Sequence, residues 1–217
     1  MSYDDDLTQS VSEELFWDSK LDSESIAALA EGGVVTLRGT VGSVREKHEA
    51  TKSAERVYGV TSVDNQLKVE PLDDDARVDA DIRGDVLQAL MLDSLVPDTV
   101  DVKVEDGIVT LTGAAEWQYQ RKEAEHVASN IAGTVDVVDE IELEHPEPQA
   151  GDVQDSIKSA FKRNAALDAD DLYVTTSNGT VTIDGVVNSW AEHDEAIDAA
   201  WSAPGVTAVN DQMTVAY

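Results

Sequence analysis

Histidines and carboxylates are the residues of this chain that could carry out acid–base or metal chemistry. The chain has no cysteine, which removes thiolate nucleophiles and thiolate metal sites. No histidine is followed three or four residues later by a second ligand, the spacing of a helical metal site; they are His48, His126, His145 and His193. Neither a Gly-x-Ser-x-Gly turn nor a Gly-x-x-x-x-Gly-Lys loop occurs. The sequence therefore predicts no catalytic residue, no metal site and no cofactor, and a protein that is not an enzyme.

The carboxylates are too numerous and too evenly spread to mark a site. The chain has 45 acidic and 15 basic residues, a net charge of −30. Residues 1–70 carry 14 acidic and 7 basic side chains, residues 71–145 carry 19 and 5, and residues 146–217 carry 12 and 3. The negative electrostatic field of such a chain repels nucleic acid, so we expect no nucleic-acid partner. We interpret the acidity as a well-solvated surface, as in a salt-rich cell interior. Calcium or magnesium buffering is the alternative, although no Asp-x-Asp-x-Asp-Gly loop supports it.

A heptapeptide phrase of the form Gly-x-Val-Thr-(Leu or Ile)-x-Gly occurs three times, with Ile183 in the third copy. It spans residues 33–39, 107–113 and 179–185, so its starts lie 74 and 72 residues apart. After each phrase, alanines recur at the same two offsets; they are Ala50 and Ala54, Ala124 and Ala128, and Ala196 and Ala200. A repeat of this period covers a small domain, so one module is used three times.

The first module illustrates the predicted elements. Leu7, Val11 and Leu15 stand four residues apart, which predicts an amphipathic helix. The alternation from Ile26 to Ala30 predicts a strand, and the turn that follows contains two glycines, as hairpins favour. The repeated phrase is then the second strand of the hairpin. Its final glycine indicates a bulge or a close backbone approach.

A second helix and a third strand complete each module. The helix is predicted to begin near Ser43, Trp117 and Ser189. Its alanines let it lie close to the sheet, and we expect the glycines that follow to be its C-terminal caps; they are Gly59, Gly133 and Gly205. The third strand runs from Val63, Val137 and Val209.

The fold class is therefore α+β, with three tandem modules of the order helix-strand-strand-helix-strand. In each module the two helices are expected on one face of a three-stranded sheet. We place the modules at residues 1–70 (module 1), 78–144 (module 2) and 151–217 (module 3). The linkers at 71–76 and 145–151 are short and contain proline.

The end of module 1 reads Gly59-Val60-Thr-Ser-Val63-Asp-Asn65-Gln-Leu67. With the central glycine-flanked strand and the alanine-bearing helix, it resembles the BON domain family, and the resemblance covers nearly the whole chain. Modules 2 and 3 depart slightly, with Asp139 and Asp211 in place of Asn65. The resemblance implies a binding protein of lipid surfaces, linked to osmotic stress or to maintenance of the cell envelope.

The location and the lipid-contact residues follow as expectations. The N-terminal stretch is acidic with no apolar run behind it, so we expect a cytoplasmic protein, peripheral to a membrane. Aromatic and basic residues at the start of a helix are typical of interfacial anchors. The candidates are Trp117, Tyr119, Arg121 and Lys122 in module 2, Trp190 in module 3, and Arg45 and Lys47 in module 1. Trp17 and Trp201 are further contact candidates. The alternative interpretation is packing for the aromatics and i, i+4 salt bridges for the basic residues.

We therefore expect a non-enzymatic binding and scaffold protein that associates with lipid surfaces and with itself. If module 1 packs on module 2 as module 2 packs on module 3, the contact is heterologous, and the same surfaces on separate chains would build a filament or another homo-oligomer. The high net charge would make such self-assembly depend on salt. The alternative is a soluble osmoprotective chaperone of the cytoplasm, whose acidity keeps client proteins dispersed.

Overall fold

The computed structural model of the chain describes residues 3–70, 77–144, 150–164, 167 and 172–217. The helices are α1 (Tyr3–Trp17), α2 (Val44–Glu55), α3 (Asp79–Leu92), α4 (Gln118–Ser129), α5 (Ala150–Arg163) and α6 (Trp190–Trp201). The strands are β1 (Ile26–Glu31), β2 (Val34–Val41), β3 (Ser62–Val69), β4 (Asp101–Glu105), β5 (Ile108–Ala115), β6 (Asp136–Leu143), β7 (Leu172–Ser177), β8 (Thr180–Val187) and β9 (Ala208–Val215). This confirms the α+β class and the element order in all three modules. Residues 71–76 and 145–149, with His145, lie outside the described residues.

The repeated phrase forms the central strand of each sheet. The strand orders are β1-β2-β3, β4-β5-β6 and β7-β8-β9. In module 1, β1 runs antiparallel to β2 with Ala28 opposite Leu37, and β3 runs parallel to β2 with Leu37 opposite Asn65. Two parallel strands require a crossover, and α2 supplies it.

One face of each sheet holds the core. In module 1, Val35 and Leu37 on the central strand are fully buried, as are Val11 of α1 and Ala50 of α2. Their neighbour Arg38, which points to the opposite face, is exposed. Both helices therefore cover the same face, as predicted, and the other face is accessible and carries Arg38 together with the exposed Leu29 and Val34.

The second helix begins with a capping box in modules 1 and 3. Glu46 N–H donates to Ser43 Oγ (3.2 Å), while the Glu46 carboxylate accepts from Gly42 N–H (2.7 Å). Ser189 and Glu192 repeat this exchange in module 3. Module 2 has Trp117 at the serine position. The predicted helix starts are confirmed. The serine bond satisfies an amide of the first turn, and the carboxylate bond holds the residue that precedes the cap.

The glycine at the end of the central phrase is a close-approach position. Gly113 has φ of +118°, and a Cβ there would collide with the carbonyl oxygen of Thr99. Gly39 stands in the same relation to Ser25. The sequence-based expectation of a close backbone approach is thus confirmed.

The expectation that Gly59 caps the second helix is wrong. Helix α2 ends at Glu55, and its C-cap is Arg56 in a right-handed conformation. A turn follows, closed by Val60 N–H donating to the Val57 carbonyl (3.2 Å). Gly59 lies within this turn with φ of +96°, where a Cβ would collide with Tyr3 Oη. The glycine is needed for the turn and for the approach of α1, and the helix stops before it.

Side chains occupy both outer edges of every sheet. On the third strand, an Asx side chain accepts the N–H two residues ahead; the pairs are Asn65 with Leu67, Asp139 with Ile141, and Asp211 with Met213. On the first strand, a side chain of the first helix bonds the backbone; the pairs are Thr8 with Ala30 N–H, Arg83 with the Val102 carbonyl, and Gln154 with the Val174 carbonyl. These bonds remove backbone groups that an added strand would use.

The chain divides into two compact units. One comprises Met1–Ala115 and Tyr119–Glu142, and the other comprises Glu116–Gln118 and Leu143–Tyr217. Within the first unit, Val135 of module 2 packs against the core of module 1. Modules of this size bury a small core, so the contact supplements it.

A buried carboxylate joins α1 to α2 in module 1. The Asp18 side chain, 7% exposed, accepts hydrogen bonds from Ser53 Oγ (2.8 Å) and from the Lys20 N–H (3.1 Å), and it pairs with Arg56 (3.0 Å). Burial alone would raise the pKa of Asp18, but the bonds from Lys20, Ser53 and Arg56 outweigh it and lower the pKa to about 2.

We predict that replacing Gly113 by alanine destabilises module 2 by about 1–3 kcal/mol, because the new Cβ combines a strained φ with a backbone collision. Gly84 is the matched control in the same module. It lies within helix α3, and a Cβ added there would meet no neighbouring atom, so Gly84→Ala should stabilise by about 1 kcal/mol. Denaturant unfolding of both variants measures the difference. Equal effects of the two substitutions would contradict the close-approach assignment.

We predict an acid-dependent loss of stability from Asp18. Its pKa is depressed from 3.8 to about 2, so its stabilisation is complete above pH 4 and is lost as the pH falls through about 2. The loss should be about 2 kcal/mol in the native chain and absent in Asp18→Asn. Hydrogen exchange of the α1 and α2 amides measures it, with the exposed Asp22→Asn as control. Parallel pH profiles for native and Asp18→Asn chains would rule the effect out.

Candidate functional site

The ends of the first helices in modules 1 and 2 expose large apolar side chains. Phe16 and Trp17, the last two residues of α1, are 74% and 80% exposed. Met91 and Leu92, the last two residues of α3, are 85% and 78% exposed. A single exposed apolar residue is ordinary, but adjacent pairs at the same place in two modules form local apolar surface. We call these two pairs the apolar helix ends.

The helical repeat explains why these side chains point outward. The core stripe of α1 uses positions four apart and ends at Leu15, which is buried. The next two residues are rotated by about 100° and 200° from it, away from the sheet. In α3 the stripe ends at the buried Leu90 with the same consequence. Module 3 differs, since Lys162 and Arg163 follow the buried Phe161.

The predicted contact residues on the second helices fall into two groups. Arg45 and Lys122 are exposed, and Tyr119 is 53% exposed. Lys47, Trp117, Arg121 and Trp190 are only partly exposed. Accessibility therefore separates the candidates, and their contact with lipid stays a prediction.

Arg121 is engaged in an ion pair with the third strand of its module. Its guanidinium lies 2.8 Å from the Asp139 carboxylate, with 21% and 18% of the two side chains exposed. The equivalent positions are also joined in the other modules. Asn65 Nδ2 donates to the Lys47 carbonyl (2.8 Å), and His193 Nε2 lies 2.7 Å from Asp211. This position thus links the second helix to the third strand in every module.

The tryptophans differ strongly in accessibility. Trp17 is exposed, whereas Trp190 and Trp201 pack against the core of module 3. The Trp190 ring also meets the His193 ring edge-on, with centroids 4.8 Å apart. Only Trp17 among these three offers most of its ring to a ligand.

Sequence reasoning named Trp17 but missed Phe16, Met91 and Leu92. The signal was present, because each pair directly follows the last residue of an i, i+4 stripe in its module.

Within the described residues, no group of three or more histidine, cysteine or acidic side chains is placed to hold a metal. No helix in that part of the chain is both long and apolar enough to cross a bilayer. The apolar helix ends can bind another apolar surface by burying their side chains against it.

Comparison with known proteins gives three findings. A family model described as BON domain matches residues 3–71, 78–144 and 149–217. Osmotically-inducible protein Y of Escherichia coli (strain K12) is 31% identical over 143 residues, which cover 64% of this chain and 71% of that protein. Two solved structures of CdsD, a structural protein of the type III secretion system of Chlamydia trachomatis, match at 14% and 13% identity.

The two CdsD matches cover nearly the whole of each chain, but their backbones superpose poorly on this one. The first covers 97% of this chain and 92% of that chain, and the second covers 98% of each. Both have a TM-score of 0.28. A likeness at this level carries no information about the function of this chain.

We predict that Arg121 contributes to stability. Arg121→Gln breaks a partly buried ion pair and should lower the unfolding free energy of module 2 by about 1 kcal/mol. The matched control is Arg45→Gln, an exposed arginine on the second helix of module 1, which should change stability by less than about 0.5 kcal/mol. Thermal or denaturant unfolding measures both. If Arg121→Gln changes the unfolding free energy no more than the control does, the ion pair does not contribute to stability.

Proposed function

The chain belongs to the BON domain family, and from that premise we propose that it is a stress-related, non-enzymatic binding protein that associates with lipid surfaces through its apolar helix ends. The relation to an osmotically inducible protein supports the stress-related role. The observation that carries the lipid proposal is the exposure of Phe16, Trp17, Met91 and Leu92, each more than 70% exposed.

The physical basis is apolar burial at a membrane interface. A large apolar side chain that leaves water entirely contributes up to about 1.5–3 kcal/mol. Tryptophan is suited to the boundary between headgroups and acyl chains, because its ring is amphipathic. Two such ends on one chain allow two weak contacts to act together where the geometry permits it.

The net charge sets the salt dependence of this binding. At −30 the chain is repelled by an anionic bilayer, and the repulsion weakens as salt shortens the Debye length. Apolar contacts are not screened in this way. Binding carried by the apolar helix ends should therefore increase with salt on anionic vesicles. On vesicles without net charge it should change little. Tyr119, Lys122 and Arg45 are accessible to add contacts with headgroups.

We predict that the full chain floats with phosphatidylcholine vesicles, and with vesicles containing phosphatidylglycerol at molar salt. The variant Phe16→Ser, Trp17→Ser should bind at least about ten times more weakly, since it loses the larger apolar end. Tyr173→Ser is the matched control, because Tyr173 is 70% exposed on a sheet face in module 3. It should bind like the native chain. Circular dichroism checks that all three proteins are folded.

Two results would reject the lipid proposal. One is a native chain that stays unbound with both vesicle types at physiological and molar salt. The other is an equal loss of binding in the double variant and in Tyr173→Ser, which would mean unspecific adsorption. If the unbound chain also suppresses aggregation of a client protein without lipid, the chaperone alternative takes its place.

A further inference from the structure

Module 3 concentrates all its positive charge on one helix. Residues 146–217 contain three basic residues, and these are Lys158, Lys162 and Arg163 on α5. All three are exposed. Within the part of the chain that the structure describes, none of the three makes an ion pair. We call this surface the basic face of α5.

Module 2 carries a complementary row of negative charge. On β6, alternation directs Val137 and Ile141 toward the core, and it directs Asp136, Val138, Glu140 and Glu142 to the open face of the sheet, where all four are exposed. Among the described residues, these three carboxylates have no basic partner. We call them the acidic row of β6.

The spacing of the two rows is similar. Lys158 and Lys162 are one helical turn apart, about 6 Å along the axis. Glu140 and Glu142 are two strand residues apart, about 6.6 Å. A helix laid along the strand can therefore place neighbouring ammonium groups opposite neighbouring carboxylates.

We propose that the basic face of α5 docks on the acidic row of β6 in a second copy of this chain. The proposal concerns the self-association expected from the sequence, goes beyond the lipid binding proposed above and does not depend on it. The surfaces on the two copies differ, so the contact is heterologous and continues from chain to chain. Strand addition would have to displace one side-chain bond at each sheet edge, whereas this contact leaves those bonds in place.

The high net charge is compatible with this contact at physiological salt. The Debye length is then about 8 Å, which screens the repulsion between distant parts of two copies. Charges that meet within about 4 Å are screened less. Exposed ion pairs are individually weak, so we expect a dissociation constant on the order of 0.1–1 mM for each contact.

The test is a charge exchange between two full-length variants, followed by sedimentation velocity at physiological salt without lipid and at concentrations up to about 1 mM. Variant one carries Lys158→Glu, Lys162→Glu and Arg163→Glu. Variant two carries Asp136→Lys, Glu140→Lys and Glu142→Lys. Each variant alone sets like charges against each other and should remain monomeric. An equimolar mixture restores opposite charges at both contacts and should associate as the native chain does.

A matched control separates the surface from the net charge. Arg45→Glu, Lys52→Glu and Lys68→Glu in module 1 give the same net charge as variant one, and should still associate. A native chain that is monomeric throughout, or a mixture that fails to recover, would overturn the proposal.

Flotation of variant one is measured separately. Loss of vesicle binding, with no self-association in the native chain, would assign the basic face to anionic lipid instead.

Discussion

The contact between the second helix and the central strand is the constraint on which each module depends. Two alanines of this helix face the sheet in every module, and all of them are fully inaccessible to solvent; they are Ala50, Ala54, Ala124, Ala128, Ala196 and Ala200. A larger side chain would push the helix outward. The helix is also the crossover between two parallel strands, so its distance from the sheet determines where the third strand can pair.

Several local features serve this contact. The capping box of Ser43 and Glu46 fixes where α2 begins, and the Gly59 turn lets α1 approach beside it. The link from the second helix to the third strand differs chemically among modules but joins the same two positions, as with Arg121 and Asp139 in module 2. The same Asx residue also accepts a backbone N–H of its own strand. An aspartate therefore replaces asparagine there without loss of the bond, which accounts for the variation at this motif position.

Because one sheet face and one stripe of each helix take the whole core, the remaining surfaces are free to diverge. The three modules use this freedom differently. The first helix ends in Phe16 and Trp17 in module 1 and in Met91 and Leu92 in module 2, but in Lys162 and Arg163 in module 3. A repeated scaffold thus presents apolar and basic surface at equivalent places. The edges do not diverge, because an open strand edge is an aggregation hazard in any module.

The sequence by itself determined the repeat, the element order and the buried stripe of each first helix. These features depend on periodicity and on backbone sterics, which act between near neighbours in the chain. Strand order, the ion pair of Arg121 with Asp139 and the edge bonds were decided only by the tertiary structure. They join residues that lie far apart in sequence, where no periodic pattern specifies the partner. The same limit applies to Trp190, a predicted contact residue whose packing against the core of module 3 the sequence did not reveal. An aromatic residue looks alike in sequence whether its neighbours cover it or water does, and only packing settles which of the two surrounds it.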